Sequence, residues 1–333
     1  MNRTPDDLLL DLRGAALRPA DPLDDDTPSD FGRELQAGLS RPAKSVPPKF
    51  FYDAEGSRLF DRICALPEYY PTRTELQILD THAGEIAAQI GPGADIVEFG
   101  AGSLTKVRLL LDALEVPRRY VPIDISGEHL EAAARRLRAE RPALQVHPLV
   151  ADYTGALSLP AGPGRRVGFF PGSTLGNFAP DEALRFLRSA ASLLRGGGLL
   201  LGVDMVKDPA LLHAAYNDAQ GVTAAFNLNL LRRANTELGA DFDLGAFHHA
   251  AFYNAPLKRI EMHLVSRRDQ EVSVLGKAYR FAEGETLHTE NSHKFTVDGL
   301  KALATDAGFI PGRVWTDRDR LFSLHWLLAP PSW

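Results

Sequence analysis

The stretch Glu98-Phe99-Gly100-Ala101-Gly102 constrains the fold more than any other: an apolar strand, Ala94 to Phe99, runs straight into a glycine-paired turn that opens a helix. Glycines at 100 and 102 let the backbone turn sharply and approach a ligand closely, and the helix N-terminus beyond them offers unpaired N–H groups to anionic oxygens. Asp124 stands at the end of the next apolar strand, Arg119 to Ile123. It follows the glycine turn at roughly the 20-residue distance from which a carboxylate can bond both hydroxyls of a ribose. The pattern predicts an α/β sheet whose first turn receives a nucleotide-like ligand.

The glycines alone leave two cofactors open. In a dinucleotide site a third glycine lets the helix pack tightly under a pyrophosphate, but here that place is Thr105, which disfavours NAD. S-adenosylmethionine (SAM) carries no phosphate, only ribose, adenine and a zwitterionic amino-acid tail, so two glycines and a ribose acid suffice. Glu98, the acid before the turn, also suits this ligand. A third strand, Leu144 to Val150, ends in Ala151-Asp152-Tyr153, where Asp152 can accept a hydrogen bond from an adenine amino group. A turn with no ligand would leave three strand ends carrying polar residues without a reason.

At 333 residues the chain exceeds one average domain, so two lobes or one domain with an insertion are expected. A net charge of -6 argues against a nucleic acid or an anionic membrane as partner. The single cysteine, Cys64, excludes an internal disulfide framework and reads as a small core residue beside Leu59, Phe60 and Ile63. No segment has the length of a membrane span and the N-terminus lacks a basic-then-apolar signal, so a cytoplasmic location is expected. Residues 1–30, with Asp24-Asp25-Asp26 and several prolines, read as a solvated arm.

From about 75 to 206 strands alternate with helices, which points to a parallel sheet with helices on both faces. A strand over Arg166–Phe170 leads into the loop Pro171-Gly172-Ser173-Thr174-Leu175-Gly176-Asn177-Phe178, and a helix starts at Pro180. Leu199–Val203 is a further strand. Beyond 206 the alternation breaks into a long helical region, 208–238, and strand-like runs at 249–254, 259–266, 271–281 and 285–295. Thr296 can cap a helix over 297–307, and two last strands, Ile310–Thr316 and Phe322–Leu328, suit the antiparallel end of a methyltransferase-type sheet. The expected organisation is a Rossmann-like SAM-binding domain of 75–206 and 296–333, with 31–74 and 207–295 forming an inserted α+β substrate-binding domain.

Longer strings now on the page resemble one family, the histidine-specific Nα-methyltransferases of ergothioneine biosynthesis, which convert histidine to its trimethyl betaine, hercynine. They are Pro47-Pro48-Lys49-Phe50-Phe51-Tyr52-Asp53, Gly56-Ser57, Leu59-Phe60, the run from Leu66 to Glu75, the loop 172–178, Ile260-Glu261-Met262 and Thr289-Glu290-Asn291-Ser292-His293-Lys294-Phe295. The resemblance runs from about residue 31 over nearly the whole chain. It implies SAM as methyl donor, consumed three times, L-histidine as substrate, no metal, and a monomer.

The resemblance also assigns residues. Gly100, Lys106, Asp124, Asp152 and Tyr153 match the SAM site, with Lys106 placed to meet the cofactor's carboxylate. Tyr52 and Tyr69 match tyrosines near the reacting amine, and with Asn177 they form the expected catalytic group. The proline-flanked run 67–71 presents Tyr69 from outside regular helix, while Tyr70 reads as a packing aromatic. Asn177, past the end of a sheet strand, has an amide that can donate to a carboxylate and accept from an amine. Tyr216 matches a tyrosine supporting the substrate carboxylate. Glu290 and Ser292, two apart in a strand, share one face and together suit an imidazole, with Met262 shaping the pocket. Asn291 and His293 depart from the family's pattern but face away by the same alternation. The histidines, among them His213, His248, His249 and His263, show no metal-ligand set. A tryptophan or other aromatic-amine methyltransferase on the same fold is the nearest alternative; an oxidoreductase and a SAM-binding module without catalysis are further ones.

Overall fold

The computed structural model describes residues 29–331 apart from 103, 156, 161 and 163. The arm expected over 1–30 thus lies, up to residue 28, outside the described residues. Its end coincides with a helix start: α1 (Asp30–Leu39) is capped by Ser29, which accepts the Gly32 N–H. A 3-10 turn over Pro48–Phe51 leads into α2 (Ala54–Cys64), whose cap, Asp53, takes the Gly56 N–H at 2.6 Å. Helix α3 (Tyr70–Thr81) begins inside the proline-flanked run, since Pro71 in a first turn sacrifices no needed N–H. Tyr69 stays outside it as the cap residue.

After α4 (Ala83–Ile90) the expected alternation appears: β1 (Asp95–Phe99), α5 (Thr105–Ala113), β2 (Arg119–Asp124), α6 (Gly127–Glu140), β3 (Gln145–Val146), β4 (Leu149–Val150), β5 (Arg166–Phe170), α7 (Pro180–Leu193) and β6 (Gly198–Asp204). The strand expected unbroken over 144–150 is two short pieces, because Pro148 cannot donate to the ladder. Strands β1 and β6 are buried along their whole length, as suits central strands covered on both faces.

The long helical region past 206 divides into α8 (Pro209–Tyr216) and α9 (Val222–Leu238). Asp218 makes the break: its carboxylate accepts the N–H groups of Val222 and Thr223 at 2.8 Å each and starts a new helix. Then come β7 (Phe247–Asn254), β8 (Arg259–Ser266), β9 (Gln270–Val274), β10 (Lys277–Phe281) and β11 (Thr286–His293). The run read as one strand over 271–281 is the hairpin β9–β10, turned at Leu275-Gly276, where both residues have positive φ. Strands β7, β8 and β11 form a separate antiparallel sheet.

Thr296 caps α10 (Val297–Asp306) as expected, and β12 (Ile310–Thr316) and β13 (Phe322–Leu328) return to the large sheet. Its order is β12-β13-β6-β5-β1-β2-β3, with β4 also on β2; β13 and β12 are antiparallel and the rest parallel. Two apolar clusters cover the large sheet, and a third joins α1 and α2 to α8, α9 and the small sheets. Helix α3 crosses the expected boundary at 74, since Tyr70 packs in the third cluster while Ile78 and Leu79 pack under the large sheet. Among the described residues no helix is long and apolar enough to cross a membrane.

Candidate active site

The carboxyl ends of β1, β2, β4 and β5 open onto a cavity of ≈ 1080 Å³, closed on its other side by the second lobe. A volume of that size is at the upper end for small-molecule sites. Gly100, with φ +71°, donates its N–H to Ile123 O at 2.9 Å and leaves room for the Tyr153 ring, 3.5 Å from where a Cβ would stand. Asp124 accepts from Gly102 N at 3.1 Å on one oxygen and from Ser126 N at 2.9 Å on the other. Each oxygen keeps a second lone pair, so the carboxylate can still take both hydroxyls of a ribose. Burial pushes the neighbouring Glu98 carboxyl up to about 8, although a bond from the Tyr120 hydroxyl opposes this.

All five residues expected at the cofactor line this cavity. Two of them already have side-chain partners. Asp152 accepts from Thr154 Oγ1 at 2.5 Å and from Lys49 Nζ at 3.2 Å; these bonds outweigh burial and hold its carboxyl below the usual range. Lys106 pairs with Glu75 at 2.6 Å, and Glu75, without any exposure, also takes the Gly172 N–H. The donor set, a glycine turn, a carboxylate at the end of β2 and a lysine on α5, fits SAM. Glu75 and Lys49 received no role in the sequence reading; both stand inside quoted motif strings, but their partners are far away in the chain.

Tyr52, Tyr69, Asn177, Tyr216, Glu290 and Ser292 line the same cavity. Tyr52 is set by its neighbours: its carbonyl accepts from Ser126 Oγ at 2.9 Å, and Asp53 accepts from Asn229 on α9 at 2.9 Å. Its ring packs edge-on to Phe60 and Phe226. Tyr69 lies edge-on to Tyr216 with centroids 6.2 Å apart. Burial pushes both Tyr52 and Tyr69 well above the ordinary phenol range. Asn177 ends a 3-10 turn, Thr174–Asn177, in a loop expected to be irregular. Gly176 lets that turn press on β11, since a Cβ there would come within 2.7 Å of His293 O.

Under Tyr216 and Ser292 lies a buried ionic group. Asp204, at the end of β6, accepts from Tyr70 Oη at 2.8 Å, from Lys294 Nζ at 2.9 Å and from Lys207. Lys294 also donates to Ser292 Oγ at 2.8 Å and to Tyr216 Oη at 3.2 Å. Tyr70, read as a packing aromatic, is therefore a hydrogen-bond donor in this group. Lys294 was missed, yet a signal existed: it continues the alternation of Glu290 and Ser292. Tyr216 donates its proton to Ser292 Oγ at 2.8 Å, so the carboxylate support expected of it would come at the expense of this bond.

Met262 differs from expectation. It pairs with Glu290 across the β8–β11 ladder but is 1% exposed in the apolar cluster and does not line the cavity. Asn291 and His293 do face away from the cavity. On that outer side Glu261, His263 and His288 bring ligand-type atoms within 4.8 Å of one another, a trio not visible in the spacing of the sequence. Glu261 is engaged by Arg259 and Asn254, and the two imidazoles are stacked at 4.6 Å, so their in-plane lone pairs run side by side and do not converge.

Comparison with known proteins gives the same direction. The family model described as histidine-specific, SAM-dependent methyltransferase matches residues 31–329. The histidine N-alpha-methyltransferase of Mycolicibacterium smegmatis is 46% identical over 86% of this chain and 90% of its own. That of Mycobacterium tuberculosis is 43% identical over 88% and 92%. Ergothioneine biosynthesis protein 1 of Neurospora crassa is 31% identical over 85% of this chain, which spans 33% of that larger protein. Matched by the family model over residues 31–329 and by two such relatives along nearly their full length, the chain belongs to the family of histidine-specific, SAM-dependent methyltransferases.

Proposed function

We propose that the protein transfers three methyl groups from SAM, one at a time, to the α-amine of L-histidine, forming hercynine as the first step toward ergothioneine. The observation that carries this reading is the presence of Glu290 and Ser292 on one cavity that also holds the glycine turn and Asp124. A carboxylate and a hydroxyl side by side can engage both nitrogens of an imidazole.

When bound, SAM supplies a methyl group on a positively charged sulfur. The protein's part is to hold a neutral amine lone pair in line with that methyl. Asn177 is suited to the head group, because its amide donates to a carboxylate and accepts from an amine. Tyr52 and Tyr69 remain hydroxyls at working pH, since burial raises both. They therefore orient the amine through hydrogen bonds and do not act as phenolate bases. In this reading the lobe of 31–74 and 207–295 selects the substrate, the cofactor is held by Gly100, Lys106, Asp124, Asp152 and Tyr153, and Tyr216 closes the head-group end. The chemistry calls on no metal. In this reading the enzyme acts as a monomer, and its small soluble substrate and product suit the cytoplasm.

Incubation with SAM and each amino acid in turn, read by mass spectrometry, tests the reading. Histidine alone should gain three methyl groups. Methylation of tryptophan with histidine left untouched would assign the chain to an aromatic-amine substrate.

A further inference from the structure

Resting on that reading and deepening it, we propose that Lys294 is a positioning residue that sets the hydrogen-bond polarity of the ring-reading pair: Ser292 can only donate, Glu290 accepts, and the pocket takes a neutral ring with one N–H and one bare nitrogen. The argument is a count of donors and lone pairs. A lysine ammonium has three N–H donors and no acceptor. Those of Lys294 go to Asp204 at 2.9 Å, Ser292 Oγ at 2.8 Å and Tyr216 Oη at 3.2 Å. Tyr216 in turn donates to Ser292 Oγ at 2.8 Å. A hydroxyl oxygen has two lone pairs, and both of those on Ser292 are now filled. Its own proton is what remains. Among the described residues that proton has no protein acceptor, and Ser292 is 4% exposed while lining the cavity.

Glu290 stands two residues away on the same face of β11 and lines the same cavity. The titratable groups that face it are Lys294 and the hydroxyls of Tyr52, Tyr69 and Tyr216. Burial raises its carboxyl and the Lys294 charge lowers it, so the same lysine that fills the serine's lone pairs also favours the acceptor form of the glutamate. Asp204 keeps Lys294 charged against its own burial. An indole offers an N–H but no bare nitrogen, and an imidazolium meets the serine proton with a second proton. A neutral imidazole satisfies both groups.

The test is calorimetric binding of L-histidine and of the pyrrol-2-yl and pyrrol-3-yl alanines to the protein loaded with S-adenosylhomocysteine. The pyrroles keep one ring N–H and lack the second nitrogen. The wild type should prefer histidine over both by roughly tenfold to a hundredfold, the range set by an unpaired buried hydroxyl. Ser292→Ala and Lys294→Met should each cut the preference below about threefold, and their combination should cut it no further. Should Lys294→Met fail to fold, Tyr216→Phe is the second variant: it frees one lone pair on Ser292, and the preference should drop at least about threefold. Folded Lys294→Met or Tyr216→Phe protein that keeps the wild-type preference overturns the proposal, as does a wild type that methylates histidine yet binds the pyrroles equally well. A wild type that methylates no histidine overturns the functional reading itself, and the inference with it.

Discussion

Lys294 Nζ lies 2.9 Å from Asp204 Oδ2 with both side chains sealed from solvent, so the strand end of the large sheet and the substrate-side strand β11 are joined through one ion pair. Asp204 carries two lysines, because Lys207 binds the same carboxylate. Their charges outweigh burial and hold Asp204 below the usual carboxylate range. The joint fixes where Ser292 and Tyr216 stand relative to the glycine turn.

Asp204→Asn leaves two buried ammonium groups without an anion. Removing one partner of a buried pair costs about 3–5 kcal/mol, because the remaining charge is uncompensated. Urea unfolding should show a loss in that range, partly relieved at high pH where Lys207, pushed down by burial to about 8, can give up its proton. A loss below about 1 kcal/mol would mean that the joint is dispensable for folding.

Asp124→Ala removes the carboxylate that orders Gly102 and Ser126 and is poised for a ribose. The SAM dissociation constant should rise at least about tenfold, the loss of one charged hydrogen bond. Calorimetry showing unchanged affinity would take Asp124 out of the cofactor site.

Glu290 is raised by burial to about 7, against the pull of Lys294. Its ionised form is the stronger acceptor of a ring N–H, so kcat/KM for histidine should climb with pH through about 7 and Glu290→Gln should lose that limb. The substrate's own ring, losing a proton near ~6.5, adds a limb that both proteins share. Stability runs the other way. The contribution of the protonated carboxyl is complete below the unfolded value of 4.5 and disappears as pH rises through about 7. Glu290→Gln should therefore unfold later than wild type at pH 8 but not at pH 4. Glu290→Ala should cripple histidine use while leaving SAM affinity intact; near-normal turnover would sink the glutamate's role.

What was legible in the sequence followed local rules. The strand Arg166–Phe170 and the start of α7 at Pro180 are read correctly because a continuous apolar run and an N-terminal proline each act over a few residues. The split of 208–238 was not, because Asp218 ends one helix by capping the next, which looks like an ordinary polar position. The site divides in the same way. Glu290 and Ser292 could be placed on one face by alternation, but Lys294 received no role, because its partner Asp204 is contributed by another strand. Tyr70 reads as a packing ring because its acceptor lies 134 residues away. Met262 shows the converse: its ladder position beside Glu290 was right for a pocket residue, and its depth in the apolar cluster could not be read from pairing alone.

Gly176 offers the sharpest test of how the two halves of the site are held in register. The turn carrying Asn177 rests on β11 so closely that a Cβ at 176 would stand 2.7 Å from His293 O and 3.1 Å from His293 N. Both are backbone atoms of a paired strand, so neither can swing aside as a side-chain tip does. Gly176→Ala must move the turn away from β11, and with it Asn177 from the Glu290 and Ser292 pair. Overpacking of this kind costs about 1–3 kcal/mol, which thermal unfolding will register. The glycine turn at 100 follows the neighbouring strand β1 and is no part of this loop, so SAM affinity should stay within about twofold. Histidine methylation should fall at least about tenfold, since a small displacement of a positioning group is enough to spoil alignment with the methyl donor. Equal losses in SAM binding and in turnover would instead show that the loop serves the cofactor, and the assignment of Asn177 to the substrate head group would have to be withdrawn.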